Sequence, residues 1–360
     1  MARIVVGMSG GVDSSVAAAL LVEAGHEVIG ITLRTAPWTE PQDLTARFGA
    51  CCSPGAAHDA RAVARHLGIP HYVLNYEREF SATVIADFTR EYAAGRTPSP
   101  CVVCNRDVKF GTLLQRALAW EADGVATGHY ARVAREPATG RICLYRGRDS
   151  DKDQSYFLWP LSQAQLARAH FPVGDLRKVD VRARARALGL ATAETPESQE
   201  LCFVPGDYRA FLRERAPEAF RPGPILDEAG QRVGTHAGLP AYTVGQRRGL
   251  RLPGPTPRYV VHLDPARNAV VVGPGTALEA RRLVARAVNL IACERLAGRL
   301  AVEVRIRHAA PLVRAELVPR GPAEVEVRLA RSLRAVTPGQ SVVFYRDDLV
   351  VGGGVIAHAA

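Results

Sequence analysis

The chain has 360 residues, 47% of them apolar and 23% charged, and a formal net charge of +10. A chain of this length can bury a sizeable core, and we expect two or three domains. It contains no run of the roughly 18 apolar residues that a membrane span needs, and the start MARIVVGMSGG lacks the features of an export signal. We therefore predict a cytoplasmic protein without a membrane partner. The basic charge suits a polyanionic partner, although a solvated arginine-rich surface would explain it equally well.

The first half of the chain alternates strand and helix patterns. An apolar run at 4–6 precedes a glycine-rich loop, a helix pattern to residue 23 and a second strand at 28–33. This alternation predicts an α/β fold with a doubly wound, mostly parallel sheet, whose ligands bind beyond the carboxyl ends of the strands. The later elements are predicted as helices at 56–67, 80–93 and 108–121 and strands at 71–75 and 124–127.

The second half of the chain has a different residue composition and pattern. After about residue 205, proline and glycine clusters and short β-type runs replace the helix signals. From about residue 280, short β segments separated by turns predict a small barrel. We predict a catalytic domain at 1–205, a small central domain at 206–278 and a C-terminal β-barrel domain at 279–360.

The segment GMSGGVDS at positions 7–14 lies between the first strand and the first helix. Glycines let a backbone approach phosphate closely, and amides at a helix start and serine hydroxyls bind phosphate oxygens. No lysine follows the glycines, so a metal or a remote cation must supply the missing charge, and Asp13 is a candidate helper for Mg²⁺. An ordinary tight turn is the alternative. The predicted nucleotide-binding residues are Gly7, Met8, Ser9, Gly10, Gly11, Val12, Asp13 and Ser14.

This loop resembles that of the PP-loop ATP pyrophosphatase superfamily. The resemblance implies cleavage of ATP to AMP and pyrophosphate, usually with adenylation of a carbonyl oxygen. Adenylation converts a poor leaving group into a good one, which suits replacement of that oxygen.

Seven cysteines in a chain without an export signal favour metal, redox or nucleophilic roles over a disulfide framework. Cys101 and Cys104 form a CxxC turn ahead of a helix, where a thiol pKa tends to fall, and Cys202 follows about a hundred residues later. One CxxC alone is a weak zinc, redox or cluster signal. We interpret Cys51, Cys52 and Cys143 as small buried apolar residues.

From end to end, the chain resembles the tRNA-specific 2-thiouridylase family. The matching segments are spaced along the whole sequence, which makes coincidence improbable. They are GMSGGVDSS, TPSPCVVCN, VATGHYAR, KDQSYFLW, ELCF, HAGLPAYTVGQRRGL and PGQSVVFY.

The resemblance implies 2-thiolation of the tRNA wobble uridine and a role for each matched residue. Leu33 and Gly128 would line the adenosine side of bound ATP. Cys202 would carry a persulfide that attacks the adenylated carbon, and Cys104 would then release the sulfur and leave a disulfide. Ser99, Pro100 and Cys101 would flank the target base, and the other positions matching tRNA contacts are His129, Lys152, Asp153, Gln154, Arg307, His308 and Gln340.

Two positions depart from the family pattern. Many members have Asp where this chain has Cys101, so an acid or base role there does not carry over. Cys101, Cys104 and Cys202 could also hold a [4Fe-4S] cluster with one open iron, to which a hydrosulfide donor would bind. The persulfide route and the cluster route both stay open. His308 replaces a common Tyr.

The partners implied by the resemblance are tRNAs for Glu, Gln and Lys and a sulfur donor system that starts from a cysteine desulfurase; we expect a monomer. A flipped uridine costs a few kcal/mol of unstacking, which phosphate contacts would offset. Candidates for those contacts are Arg247, Arg248, Arg251, Arg305 and Arg307, and we interpret Tyr242 and Tyr259 as packing residues. Two other hypotheses are a different PP-loop thiolase or amidase and a nonenzymatic tRNA-binding or iron–sulfur protein.

Overall fold

The computed structural model describes residues 1–37, 53–196, 201–204, 206–254 and 256–360. Its contacts divide the chain into two compact units. The first unit comprises Met1–Val84, Cys101–Pro205 and Asp348–Val350, and the second comprises Ile85–Pro100, Gly206–Asp347 and Val351–Ala360.

A parallel sheet forms the centre of the first unit and confirms the predicted α/β fold. Its strands are β1 (Arg3–Gly7), β2 (Glu27–Arg34), β3 (His71–Asn75), β4 (Gly124–Ala126) and β7 (Ala169–His170), in the order β3-β2-β1-β4-β7. All four neighbouring pairs are parallel. The central residues of β1 are fully buried, as expected of a strand covered on both faces. The carboxyl ends of β1, β2 and β4 therefore meet at one edge of the sheet.

Some helices of the first unit begin behind a serine that caps their first turn. The α-helices are α1 (Val12–Glu23), α2 (Pro54–His66), α3 (Glu77–Phe80), α5 (Pro100–Val103), α6 (Leu113–Ala119), α7 (Gln163–Leu166) and α8 (Lys178–Ala187). Helix α2, for example, starts behind Ser53, whose hydroxyl accepts a hydrogen bond from the Ala56 amide over 3.1 Å. π-helical turns occupy Ser81–Ile85 and Cys104–Thr112, and a 3₁₀ turn occupies Ser155–Phe157.

A short antiparallel hairpin, β5 (Ala131–Arg135) and β6 (Ile142–Arg146), follows β4. Residues Leu349 and Val350 extend it by pairing with Tyr145 and Leu144. The apolar core beneath the sheet includes Ile4, Val6, Val16, Ala60 and Val181. Helix α8 contributes one buried edge to this core through Val181 and Ala185.

The second unit contains a small four-stranded sheet and short helices. The elements are α4 (Ala86–Ala93), α9 (Tyr208–Arg215), β8 (Gly223–Leu226), β9 (Arg232–His236), β10 (Tyr259–Asp264) and β11 (Ala269–Gly273), with 3₁₀ turns at Pro217–Ala219, Leu239–Ala241 and Gly275–Leu278. The strand order is β10-β11-β8-β9. Helix α4 packs against α9: the Phe88 ring lies 6.2 Å from Phe211, and the Tyr92 ring lies 5.0 Å from Tyr208. The division into three domains at 205 and 278 stays a prediction.

The predicted C-terminal barrel is confirmed. Its strands are β12 (Glu279–Leu290), β13 (Leu300–Arg305), β14 (Val313–Pro319), β15 (Glu324–Arg334), β16 (Ser341–Arg346) and β17 (Leu349–Ala359). They follow the order β12-β15-β14-β13-β16-β17, and β12 pairs again with β17 to close the ring. Closure removes the sheet edges, and alternate side chains such as Val304, Leu317 and Phe344 fill the interior.

Within the described ranges, no helix has both the length and the apolar character required to cross a membrane.

Candidate functional site

The glycine-rich loop joins the end of β1 to the start of α1 and packs against the first turn of α2. Gly10 has a φ of +71°, and a Cβ atom at this position would lie 2.4 Å from the carbonyl oxygen of Ala56. Only glycine tolerates both the left-handed backbone and this close approach. The loop is therefore held in one conformation before any ligand binds.

Serine side chains stabilise the loop from within. The Ser14 hydroxyl accepts from the Ser9 amide over 3.1 Å and donates to the Gly11 carbonyl over 3.1 Å. Ser15 donates to the same carbonyl over 2.9 Å. Met8 and Val12 are buried, so these two residues present backbone rather than side chain to a ligand. A phosphate would meet a preformed loop of backbone groups and short hydroxyls.

Two predicted ATP residues outside the loop lie beside it. Gly128 follows β4, and a Cβ there would lie 2.6 Å from the Ser14 amide nitrogen. Leu33 lies near the carboxyl end of β2 and is partly exposed; in the same strand, the Ile31 carbonyl accepts from the Met8 amide over 2.8 Å. The tertiary structure thus gathers Leu33, Gly128 and the loop at one edge of the sheet, where doubly wound folds bind ligands.

A charged network that the sequence analysis did not find lies at the end of the loop. The Lys178 ammonium donates to both carboxylate oxygens of Asp13, each over 2.8 Å. The Tyr130 hydroxyl donates to Asp13 over 2.7 Å, and the Lys178 ammonium lies 5.7 Å from the centre of the Tyr130 ring. Gln154 fixes Tyr130 in turn, because its side-chain oxygen accepts from the Tyr130 amide over 3.1 Å. Side chains from two distant segments therefore converge on the Asp13 carboxylate, and a third segment orients Tyr130.

Asp153, predicted to contact tRNA, has a buried carboxylate. It accepts from the amides of Gly147 and Ser155 over 3.2 and 3.1 Å and pairs with the Arg146 guanidinium over 3.1 Å. Lys152 and Gln154 on either side are partly exposed. The contact of all three with tRNA stays a prediction, and the geometry favours an ordering role for Asp153 within its loop.

His129 lies between the ATP residues and the hairpin. Its Nδ1 lies 2.7 Å from the Thr127 hydroxyl, and its ring stands edge-on to Phe171 with centroids 6.1 Å apart. Burial, with the nearby Lys109 charge, holds the pKa of His129 well below its usual 6.5. His129 is therefore neutral near pH 7 and can offer tRNA a hydrogen bond but no positive charge.

This depressed pKa predicts acid sensitivity. The unfolded chain takes up a proton near pH 6.5, whereas folded His129 does so only at lower pH, so stability falls as the pH drops below about 6.5. One such proton is worth at most about 1.4 kcal/mol per pH unit. We expect His129→Asn, which can still bond Thr127, to lose less stability than the parent between pH 7 and pH 5 in urea unfolding. Parallel pH profiles for the two proteins would contradict the assignment.

The CxxC turn opens an irregular helix. Cys101 is exposed in α5, and Cys104 is partly buried at the start of the π-helical turn Cys104–Thr112. Such turns are rare and occur frequently at functional sites. Behind Cys104, the Asn105 amide donates to the Phe157 carbonyl over 3.2 Å. The turn is therefore anchored immediately next to its second thiol.

Cys202 is partly exposed, and the Phe203 ring beside it packs edge-on against Phe80 with centroids 5.6 Å apart. In the part of the chain that the structure describes, no three His, Cys, Asp or Glu side chains are grouped to hold a metal ion. The described side chains therefore do not present the predicted cluster ligands as a set. Cys143 is buried in β6, where burial raises its thiol pKa, as expected of a packing residue. Cys51 and Cys52 lie outside the described residues.

In the second unit, Gln340 holds the segment that leads to the CxxC turn. Its side-chain amide donates to the carbonyls of Thr97 and Pro98 over 3.0 and 3.1 Å. These bonds occupy the amide nitrogen of the side chain that was predicted to contact tRNA. Ser99 and Pro100 follow this anchored segment. The tRNA contact at Gln340, Ser99 and Pro100 stays a prediction.

The arginines of the second unit differ in exposure. Arg307 is exposed and donates to the Ala335 carbonyl, and His308 beside it is partly buried. Arg305 is only 8% exposed, with its guanidinium 5.6 Å from the Tyr345 ring centre, which favours packing over phosphate contact. The remaining candidates, Arg247, Arg248 and Arg251, are partly or fully exposed.

A polar cleft of about 280 Å³ lies in the first unit beside the Asp153 loop. Arg132 in this cleft pairs with Asp348 over 3.0 Å, and Arg146 pairs with the buried Asp153, so much of the arginine charge is neutralised in place. The lining residues are Arg132, Arg146, Gly147, Arg148, Ser150, Asp175 and Asp348.

A preformed glycine loop at the carboxyl edge of a doubly wound parallel sheet, with a cysteine turn in the same unit, defines a nucleotide-binding α/β enzyme class. Family models match the chain in three parts: a tRNA methyl transferase HUP domain over residues 2–206, a tRNA methyl transferase PRC-barrel domain over 209–274, and an aminomethyltransferase beta-barrel domain over 280–356. A tRNA-specific 2-thiouridylase MnmA from Heliobacterium modesticaldum is 52% identical over 99% of this chain and 92% of its own length. One from Roseiflexus castenholzii is 50% identical over 99% of this chain and its whole length. The chain belongs to the tRNA-specific 2-thiouridylase family.

Proposed function

We propose that this protein catalyses the ATP-dependent 2-thiolation of the wobble uridine of tRNA, as a tRNA-uridine 2-sulfurtransferase. The observation that carries the proposal is a preformed nucleotide loop in the same unit as Cys104 and Cys202. Full-length relatives of about 50% identity that bear the thiouridylase name support it.

ATP activates the uridine in the first step. The loop holds the phosphates, and Leu33 and Gly128 border the adenosine. The C2 oxygen of uridine attacks the α-phosphorus, pyrophosphate leaves, and the oxygen becomes part of an AMP leaving group. Neutral His129 beside the loop adds no positive charge to this region.

Sulfur transfer uses both thiols. The terminal sulfur of a Cys202 persulfide attacks C2, and AMP departs with the original oxygen. The Cys104 thiolate then attacks the Sγ atom of Cys202, which leaves sulfur on C2 and forms a Cys104–Cys202 disulfide. An external two-electron reductant restores the thiols, and a persulfide donor supplied from a cysteine desulfurase reloads Cys202.

The tRNA contacts in this proposal are spread over both units. Lys152, Gln154 and His129 belong to the first unit, and Arg307, His308, Gln340 and Ser99 belong to the second. Arg247, Arg248 and Arg251, which are accessible to solvent, add phosphate contacts that offset the cost of flipping the uridine. We propose tRNAs for Glu, Gln and Lys as substrates and a monomeric, cytoplasmic enzyme.

The proposal includes Mg²⁺ and, for one of the two sulfur routes, a [4Fe-4S] cluster. Mg²⁺ suits the ATP phosphates, but both oxygens of Asp13 already accept from Lys178, so Asp13 offers the metal less than an open carboxylate would. The proposal keeps both sulfur routes, a Cys202 persulfide and a [4Fe-4S] cluster at Cys101, Cys104 and Cys202, and the experiment below separates them.

The test is thiolation of unmodified tRNA by anaerobically purified protein with ATP, Mg²⁺ and either sulfide or a persulfide donor. We expect 2-thiouridine by mass spectrometry, together with AMP and pyrophosphate release that depends on tRNA. Iron-free activity that needs only Cys104 and Cys202 supports the persulfide route. Formation of 2-thiouridine by protein that contains iron, with loss of this activity in Cys101→Ala, supports the cluster route instead. Absence of thiolated uridine with a competent donor would refute the function.

The family models are described in terms of methyl transfer, which provides a second reaction to exclude. The same tRNA is incubated with S-adenosylmethionine in place of ATP and the sulfur donor. We expect no methylated nucleoside, because the loop suits the phosphates of ATP and the proposed reaction is thiolation of an adenylated uridine.

A further inference from the structure

Positions 7–15, the nucleotide loop and the start of α1, read GMSGGVDSS and contain no lysine or arginine. A triphosphate carries several negative charges, and backbone amides alone supply only partial positive charge. Phosphate-binding loops of the Walker type meet this need with a lysine inside the loop. A metal ion or a cation from elsewhere in the fold must therefore supply the remaining positive charge.

Helix α8 brings an ammonium group to the loop. Lys178 is the first residue of α8, and its side chain is only 10% exposed. Its amide donates to the Asp149 carboxylate over 2.8 Å, so a residue distant in sequence caps the helix and fixes the backbone of Lys178. The base of the long Lys178 side chain is thereby fixed in place.

The contacts of the ammonium group place it at the phosphate end of the site. It donates to both oxygens of Asp13, which lies in the first turn of α1 directly after the loop. The Tyr130 ring covers the group on one side. A poorly solvated ammonium keeps a strong interaction with a second anion, since water does not screen it.

We propose that Lys178 is the phosphate-binding cation of this nucleotide site. Without ATP, Asp13 neutralises it; with ATP, the ammonium binds the phosphates while Asp13 and Tyr130 keep it in position. This inference rests on the proposed function, because it concerns the ATP that drives thiolation.

The test compares ATP with adenosine, which lacks phosphates. We expect Lys178→Gln to raise the Kd for ATP by at least about tenfold, with and without Mg²⁺, the size expected for loss of one charge-assisted contact. The Kd for adenosine should change by less than about twofold, because adenosine has no phosphate for the ammonium to bind. Lys178→Arg keeps the charge and should retain most of the affinity.

Arg184→Gln is the matched control, because it removes a charge from the same helix, where Arg184 pairs with Glu23 at the surface. It should leave both affinities unchanged. An unchanged ATP affinity in Lys178→Gln would overturn the inference, as would a parallel loss of ATP and adenosine binding, which indicates structural damage.

A second measurement tests the inference without a substitution, in case Lys178→Gln fails to fold. In the parent protein, ATP should protect Lys178 from an amine-directed reagent more strongly than adenosine does, as read by peptide mass spectrometry. Equal protection by both would overturn the inference. If the parent protein thiolates tRNA but Lys178→Gln binds ATP as tightly as the parent does, only the inference is rejected. If the parent protein binds no ATP, the proposed function is rejected as well.

Discussion

Replacing Cys202 with serine should abolish thiolation while leaving activation of the tRNA intact. Serine cannot carry a persulfide, so we expect the yield of 2-thiouridine to fall by at least about 10³-fold, the scale seen when a nucleophile is removed. The nucleotide loop is unchanged by this substitution. A single-turnover experiment should therefore still show tRNA-dependent release of pyrophosphate.

Cys104→Ser should stop the reaction one step later. Sulfur transferred to C2 stays linked to Cys202 through a disulfide bond, because no thiolate attacks Sγ of Cys202. We expect a covalent protein–tRNA adduct on a non-reducing gel, and dithiothreitol should release 2-thiouridine from it. This asymmetry between the two variants is a stronger test of the roles than loss of activity alone.

Cys293→Ser provides the matched control, because this partly exposed cysteine lies in the second unit and has no role in the proposal. It should retain parental activity. Full activity of either Cys104→Ser or Cys202→Ser with a persulfide donor would contradict the two-thiol mechanism.

Gly128→Ala should damage ATP binding through backbone packing. The added methyl group would meet the Ser14 amide nitrogen at 2.6 Å and the Asp13 carbonyl carbon at 2.7 Å. Neither backbone atom moves without shifting the loop, and overpacking of this kind costs about 1–3 kcal/mol. We expect the Kd for ATP to rise roughly 10- to 100-fold, measured by titration calorimetry.

A glycine with open space around it is the control for this steric effect. A Cβ atom at Gly298 would meet no atom within 4 Å, so Gly298→Ala should bind ATP as the parent does. Circular dichroism separates local from global damage, because the Gly128 variant should remain folded. ATP affinity within about twofold of the parent in Gly128→Ala would show that the close approach does not define the site.

The sequence predicted the elements around the site closely, because each carries a local signal. Apolar runs bounded by turn residues predicted the strands at 71–75 and 124–127, which the structure places at His71–Asn75 and Gly124–Ala126, and the glycine-rich turn indicated the nucleotide loop. The alternation of these signals was enough to predict a parallel sheet, and hence the edge at which ligands bind.

Local signals were less informative about side chains that act through distant partners. Lys178 occurs in an Arg-rich stretch that reads as a solvated helix, and nothing nearby in sequence indicates its contact with Asp13. The family resemblance implies RNA contact at Asp153 and Gln340, yet the fold uses the polar groups of both side chains on its own backbone. The missing cation within the loop was the one clue, and it predicted that a metal or a remote cation supplies the charge.

The sequence by itself determined the class of fold and predicted the nucleotide loop, because both depend on residue type and short-range spacing, whereas the two candidate reactive thiols were predicted from the family resemblance. Tertiary structure alone decided which charges are solvated and which are held in place. Lys178 and Asp13 are 165 positions apart, and only the packing of α8 against α1 brings their side chains to 2.8 Å. The electrostatics of the site depend on burial and distance in space, and neither is encoded in the neighbourhood of a residue along the chain.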